Sequence, residues 1–252
     1  MPVDFHLVIP AFEESDRLPP YLSDLAGRLK GQAYRATILV VDDGSEPQEQ
    51  ARLRELIGRL RQTSDLILEP LFLERNKGKG YAVRAGWLAG GGARWMAFAD
   101  ADGATPAYEI VRVFDSIYRN GDARRCYFGS RIRMLGRAVK RPILRHALSR
   151  MYASLVGILI NDHVYDSQCG FKVLSGEAFA TIAAGLQENR FAFDSELIAA
   201  LSEARYPLEE IPVDWRDVPG TKLSFFRDSS RMVTSLFVIH RRLKSGGYRG
   251  AP

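Results

Sequence analysis

The chain has 252 residues, 46% hydrophobic and 26% charged. That is ordinary globular usage and excludes a disordered, collagenous or coiled-coil protein. Its two cysteines, Cys126 and Cys169, exclude a disulfide scaffold and a zinc site built on paired cysteines, and they suit a reducing, cytoplasmic setting. The formal net charge of +5 is unevenly spread: Arg124 to Arg150 holds nine Lys/Arg and no Asp/Glu, and Lys222 to Pro252 holds seven against Asp228 alone. The remainder is therefore acidic, so one part of the chain suits a cation and another suits phosphate.

In chain order, Phe5 to Ile9 is a short apolar run ending at Pro10, and Leu18 to Leu29 repeats apolar residues at helical spacing. Thr37 to Val41 is rich in β-branched residues, and Arg52 to Leu60 has a helical apolar face. A third strand falls at Leu66 to Leu68 or Leu71 to Leu73, followed by a helix from Gly80 to Ala89. Trp95 to Ala99 gives a fourth strand, Ile110 to Tyr118 a helix, and Cys126 to Phe128 a fifth strand. This alternation predicts an α/β fold with a mostly parallel central sheet flanked by helices. Ile143 to Ile160 and Ser235 to Arg242 carry apolar residues at helical spacing beside basic ones, which fits either a core-facing helix or one lying in a membrane interface. No basic and apolar leader opens the chain, and no run reaches 18 apolar residues, so neither a signal peptide nor a membrane span is read.

Three polar clusters each follow directly on an apolar strand: Ala11-Phe12-Glu13-Glu14, Asp42-Asp43-Gly44-Ser45 and Asp100-Ala101-Asp102. Single clusters of this kind are commonly turns and helix caps. In a parallel sheet, however, all three fall on the edge where open α/β folds bind ligands. Asp100 and Asp102, two residues apart on extended chain, face one way and suit Mg²⁺ or Mn²⁺. Asp42 and Asp43 can accept hydrogen bonds from a ribose or base. Asn76-Lys77-Gly78-Lys79-Gly80 can offer backbone N–H groups and an ammonium to an anion, or can be an ordinary glycine turn.

In this order and spacing the segments resemble the family-2 glycosyltransferases of the GT-A fold, a Rossmann-like nucleotide-diphospho-sugar transferase architecture. The resemblance continues through Gly129-Ser130-Arg131, Asp166-Ser167-Gln168-Cys169-Gly170-Phe171-Lys172, Phe193-Asp194-Ser195-Glu196 and Trp215 to Leu223. It is greatest toward the dolichyl-phosphate β-glucosyltransferase branch, whose relatives are the polyprenyl-phosphate mannose and glucose synthases. It implies one GT-A domain over residues 1–252, with a nucleotide-sugar and metal half near 5–130, an acceptor half near 131–232 and a basic tail at 233–252.

By that resemblance, Pro10, Ala11 and Glu13 line a nucleoside pocket, Asp42 holds the base or ribose, and Lys79 lies near the nucleotide. Asp100 and Asp102 hold Mg²⁺ or Mn²⁺ against the diphosphate, which Lys222 also reaches. The mannose-synthase branch often has Gln two residues beyond the second Asp; here Ala104 stands there, which points to the glucosyltransferase-like branch or to one fewer metal ligand. Arg131 clamps an acceptor phosphate, with Ser130 as donor and Arg133 or Arg137 as support.

The implied reaction is an inverting transfer of a hexose from UDP-glucose or GDP-mannose to polyprenyl phosphate, with Asp102 and Arg131 as central catalytic residues. A soluble saccharide or small-molecule acceptor is the alternative; it needs a carboxylate base, for which Asp194 and Glu196 are candidates. Trp215 either bounds the sugar pocket or is core. A basic nucleic-acid module is the remaining reading, opposed by the acidic first half, so no nucleic-acid partner is expected. The expected location is cytoplasmic, with peripheral contact at the cytoplasmic face of a membrane.

Overall fold

A computed structural model of the chain describes residues 3–132, 134–140, 143–160, 164–218 and 225–248. The first strand, β1 (Phe5–Ala11), leads through α1 (Leu18–Leu29) to β2 (Ala36–Asp42). The helix α2 (Pro47–Arg61) starts five residues before the sequence reading placed it, with Pro47 in its first turn, where proline's missing N–H costs nothing. Both candidates for the third strand join the sheet. The strand itself, β3, is Leu71–Phe72, while Ile67 bridges Ile38 in parallel.

Then follow α3 (Lys79–Ala89), β4 (Trp95–Ala99), α4 (Ala107–Asn120), β5 (Cys126–Ser130), β6 (Val139–Lys140) and α5 (Ile143–Ile160). The remaining elements are β7 (Phe171–Ser175), α6 (Gly176–Ile182), α7 (Phe193–Glu203), β8 (Leu208–Pro212), β9 (Trp215–Arg216) and α8 (Phe225–Lys244).

Seven strands form one sheet in the order β3-β2-β1-β4-β7-β5-β8. All neighbours are parallel except β7, which runs antiparallel to both β4 and β5. The ends of β1, β2, β4 and β5 therefore share one edge with the start of β7. The strands β6 and β9 make a small separate parallel pair.

The two faces of the sheet explain the strand composition. Phe5, Leu7, Ile9 and Ala11 point to one side and pack with Leu22 of α1, Leu53 of α2 and Ile110 and Phe114 of α4. Val8, Val41, Met96 and Phe98 point to the other and pack with Val83 and Trp87 of α3, Leu197 of α7 and Leu236 of α8. Burial on both faces is why β1, β2 and β4 read as nearly unbroken apolar runs. The helices α5 and α8 each divide their apolar residues. Val156, Ile160, Leu236 and Ile239 are buried, whereas Met151, Ile158, Phe237 and Val238 are exposed.

Of the segment read as a basic tail, residues 233–248 are described and are folded against the rest of the chain. Residues through Lys244 are helical, and Tyr248 is buried. Among the described residues, no helix is long and apolar enough to cross a membrane.

Candidate active site

The shared sheet edge gathers the acidic segments, and much of what they do is hold each other. The Asp42 carboxylate, at the end of β2, accepts from Ser45 N (3.0 Å), Ser45 Oγ (2.5 Å) and Gln50 Nε2 (2.8 Å). The neighbouring Asp43 accepts from Lys77 N (2.8 Å) and Gly78 N (2.7 Å). Burial holds its carboxyl above the usual carboxylate range. Two N–H groups of the glycine-spaced loop that could have met a ligand anion are thus taken by an internal one.

Glu13 sits at φ 57°, donates its N–H to Ser45 Oγ (2.8 Å) and accepts from Glu46 N through Oε1 (2.8 Å). Pro10 is half-buried and Ala11 buried beside it at the end of β1. The residues assigned to the nucleoside side therefore do share one edge, but Asp42 and Glu13 are already cross-linked to the loop after β2.

At the end of β4, Asp100 is the more open carboxylate. Asp102 is partly covered, and its Oδ1 accepts from Ala104 N (2.9 Å). Burial, and then the charge of Asp100, push the Asp102 carboxyl up to about 6. Two carboxylates that repel at close range, one of them half-desolvated, fit a divalent cation, which would relieve both penalties. Among the described residues no group of three or more potential ligands adds to them.

Behind Asp100 stands an alternating row of charges. Lys79 Nζ is 2.8 Å from Asp100 Oδ1 and 3.5 Å from Asp194 Oδ2. Lys172, fully buried on β7, bonds Asp194 Oδ1 from the other side and donates to Cys169 O (2.8 Å) and Ser167 O (3.3 Å). Burial disfavours the Lys79 ammonium, but Asp100 and Asp194 together outweigh it and raise its pKa above the ordinary lysine value. Both oxygens of Asp194 thus bond to lysine ammonium groups. It belongs to the site's charge balance, and its engagement argues against the role of general base.

The acceptor candidates divide. Arg131, just past β5, is buried with its carboxylate partner Asp166. The Asp166 Oδ2 accepts from Arg131 N (2.9 Å) and Nε (2.6 Å), and Oδ1 accepts from Nη2 (2.6 Å). Its guanidinium lies 5.4 Å from the Trp215 ring centre and feels the charge of Asp100. Ser130 is buried, and its hydroxyl has no hydrogen-bond partner among the described residues. Arg137 instead pairs with Glu109 (2.7 Å), which also holds Arg112. Arg133 and Lys222 lie outside the described residues.

Glu196 does not join the edge. It is fully buried and accepts from Gln187 N, Glu188 N, Arg242 Nη1 (2.6 Å) and Tyr248 Oη (3.2 Å). The helical spacing that put it beside Asp194 in sequence turns it toward the C-terminal segment, where it anchors α8. Cys169 lies at the edge, but burial pushes its thiol up to about 12, so it is no nucleophile at neutral pH. The residues that sequence reading left without a role are Asp166 and Lys172. Their signal was present as the Asp166-to-Lys172 segment, without a clue to what each would bind.

Residues 6–182 match the family model described as Glycosyl transferase family 2. The dolichyl-phosphate beta-glucosyltransferase of Saccharomyces cerevisiae is 30% identical over 254 residues, covering 96% of this chain and 76% of that protein. Its counterpart in Mus musculus is 31% identical, covering 96% and 76%.

Glucosyl-3-phosphoglycerate synthase from Mycobacterium tuberculosis, solved with Mn²⁺, UDP and glucosyl-3-phosphoglycerate, superposes with a TM-score of 0.68 at 15% identity. The match covers 94% of this chain and 80% of that one. Mannosyl-3-phosphoglycerate synthase from Rubrobacter xylanophilus gives 0.64 at 16%, covering 99% and 77%. At such identities these structures speak for the fold, which is GT-A. With the family model matched over most of this chain, and relatives at 30% identity or more aligned over 96% of it and about three quarters of their own length, the chain belongs to glycosyl transferase family 2 and is a glycosyltransferase.

Proposed function

We propose that the enzyme transfers a hexose, glucose rather than mannose, from a UDP-sugar to a polyprenyl phosphate of the dolichyl type, with inversion. The observation that carries this reading is the pairing of two features at one sheet edge. A carboxylate pair suited to a divalent ion, Asp100 and Asp102, stands at the end of β4, and one of the two, Asp100, lies within the electrostatic reach of a buried guanidinium, Arg131, just past β5. Such an arrangement can hold a donor diphosphate beside an acceptor phosphate. The identity to the dolichyl-phosphate beta-glucosyltransferases supports glucose and the lipid acceptor.

In this reading Asp100 and Asp102 hold Mg²⁺ or Mn²⁺, which when bound offsets the charge that builds on the leaving diphosphate. Arg131 presents to the acceptor the N–H groups that Asp166 leaves, and Asp166 fixes its plane. A bidentate pair of that kind leaves three of the five guanidinium N–H groups for a ligand. Ser130, the residue before Arg131, has a buried hydroxyl with no hydrogen-bond partner among the described residues. A phosphate monoester, whose second pKa is about 6, is already an anion at neutral pH. The acceptor then needs no base, which agrees with the engagement of Asp194 by two lysines. Catalysis rests on in-line positioning and charge stabilisation.

The exposed Met151, Ile158, Phe237 and Val238, with Arg150, Arg241 and Lys244 on the same two helices, support peripheral contact with an anionic membrane face.

The test is a transfer assay with UDP-glucose and GDP-mannose against polyprenyl phosphate, with Mn²⁺ and with chelator. Metal-dependent transfer from UDP-glucose is expected. Transfer only to soluble saccharides or small phosphorylated acids would replace the acceptor assignment. No metal-dependent transfer from any nucleotide sugar would overturn the reading.

A further inference from the structure

The ammonium of Lys79 occupies the carboxylate that the proposed function gives to a divalent ion. Its closer partner is Asp100 Oδ1, at 2.8 Å, and Asp194 Oδ2 waits at 3.5 Å on its other side. The Lys79 side chain is 14% exposed and lies 4.9 Å from the Phe98 ring centre. A cation so enclosed must keep a partner, because an unpaired buried charge is strongly disfavoured. Asp194 is itself enclosed, and each of its oxygens faces a lysine ammonium. Lys172 supplies one permanently, fixed by two backbone carbonyls.

We infer that Lys79 is the resident counter-cation of Asp100, which a divalent ion entering at Asp100 and Asp102 must displace, and that Asp194 receives the displaced ammonium. The row Lys172, Asp194, Lys79, Asp100 is then a two-position device. With the edge empty of metal, Lys79 neutralises Asp100. With metal present, Lys79 leans to Asp194, and its remaining N–H groups turn to the open side of Asp100. Lys79 in this role is a positioning residue that sets the metal affinity, and Asp194 acts through it.

The inference rests on the assignment of the metal to Asp100 and Asp102. Its consequence runs against simple expectation for an active-site lysine: removing it should strengthen metal binding.

The test is equilibrium binding of Mn²⁺ alone to the full chain at neutral pH, read by the spin-resonance signal of free Mn²⁺. Lys79→Met should tighten Mn²⁺ by roughly tenfold, a usual size for coupling between two sites, and Lys79→Gln should do the same if the methionine variant folds poorly. Asp194→Asn should weaken Mn²⁺ in the wild-type background, because Lys79 is then left with Asp100 alone. In the Lys79→Met background the Asp194→Asn change should have little effect. That non-additivity separates action through Lys79 from a general loss of negative charge.

Equal affinity in wild type and Lys79→Met, or an undiminished Asp194→Asn effect in the double variant, overturns the inference. Asp100→Asn serves as the control on the metal site. If it abolishes Mn²⁺ binding while Lys79→Met changes nothing, the counter-cation role fails and the metal assignment stands. If Asp100→Asn binds as wild type does, or if no variant binds Mn²⁺, the metal assignment fails as well.

Discussion

A methyl group on Gly170 would stand 1.8 Å from Asp100 Oδ2. The residue that opens the antiparallel strand is bare because the carboxylate at the end of the neighbouring strand fills the space. The Gly170 carbonyl and its side-chain space are both set by the end of β4, since Asp100 N also donates to Gly170 O (2.9 Å). Gly170→Ala should therefore displace Asp100 rather than unfold the sheet. A displacement of about 1 Å at reacting groups costs about 10²-fold in rate. The expected result is a loss of that order in kcat with a cooperative thermal transition retained, checked by transfer kinetics and calorimetry on the same preparation.

Asp102 makes the protein's behaviour depend on acid. Its carboxyl is pushed up to about 6 in the fold from 3.8. Between those values the native state holds a proton that the unfolded chain releases, so this group's contribution makes stability fall as pH rises through the window. Metal binding follows the opposite sense, because only the carboxylate is a good ligand. Mn²⁺ affinity should drop below about pH 6 and lose its dependence on this group well above it. Saturating Mn²⁺ should move the midpoint downward, and Asp102→Asn should remove the step. Urea denaturation and Mn²⁺ titration across the acid to neutral range check both signs.

The Arg131–Asp166 pair should show the cost of stranding a buried charge. Arg131→Ala leaves Asp166 desolvated without its cation, and breaking a buried pair from one side costs about 3–5 kcal/mol. Joining it to Asp166→Asn should recover a large part of that loss without restoring transfer to polyprenyl phosphate. Denaturant midpoints measure the first effect and the KM for the acceptor measures the second. A full return of activity in the double variant would remove Arg131 from the acceptor site.

Glu196 answers to stability. Its four donors come from residues 187, 188, 242 and 248, so Glu196→Ala releases the C-terminal segment and leaves Arg242 unpaired. A loss of about 3 kcal/mol is expected, together with faster proteolysis beyond α8. The KM for the nucleotide sugar should change little in the folded fraction.

Much of the fold was legible because the strands that carry it are buried on both faces. Val8, Val40 and Phe98 sit in runs that are apolar but for His6 and Thr37, which bond each other, and the polar clusters after β1, β2 and β4 marked the edge. The strand β7 was harder to read. Phe171-Lys172-Val173-Leu174-Ser175 puts a charge at its centre, and nothing local says that this lysine is buried. Its partners are Ser167, Cys169 and Asp194, the last being 22 residues away. The same limit applies to Arg131 and Asp166, 35 residues apart. A basic run announces phosphate, but only the folded chain shows which arginines are committed internally, as Arg137 is to Glu109. Glu196 failed for a related reason. Residues two apart at the start of a helix point in different directions, so Asp194 faces the edge and Glu196 the last helix.

The single reversed strand has a metric consequence. Because β7 lies between β4 and β5, the strand ends that carry Asp100 and Arg131 are two inter-strand steps apart, roughly 10 Å between backbones. That gap is fixed by backbone hydrogen bonding and does not depend on any side chain. On the proposed reading, donor and acceptor anions are held apart by a spacer one strand wide, across which a single sugar ring is handed. Lengthening or trimming the loops around the site would alter which molecules enter, while the spacing of the two strand ends would stay built into the sheet.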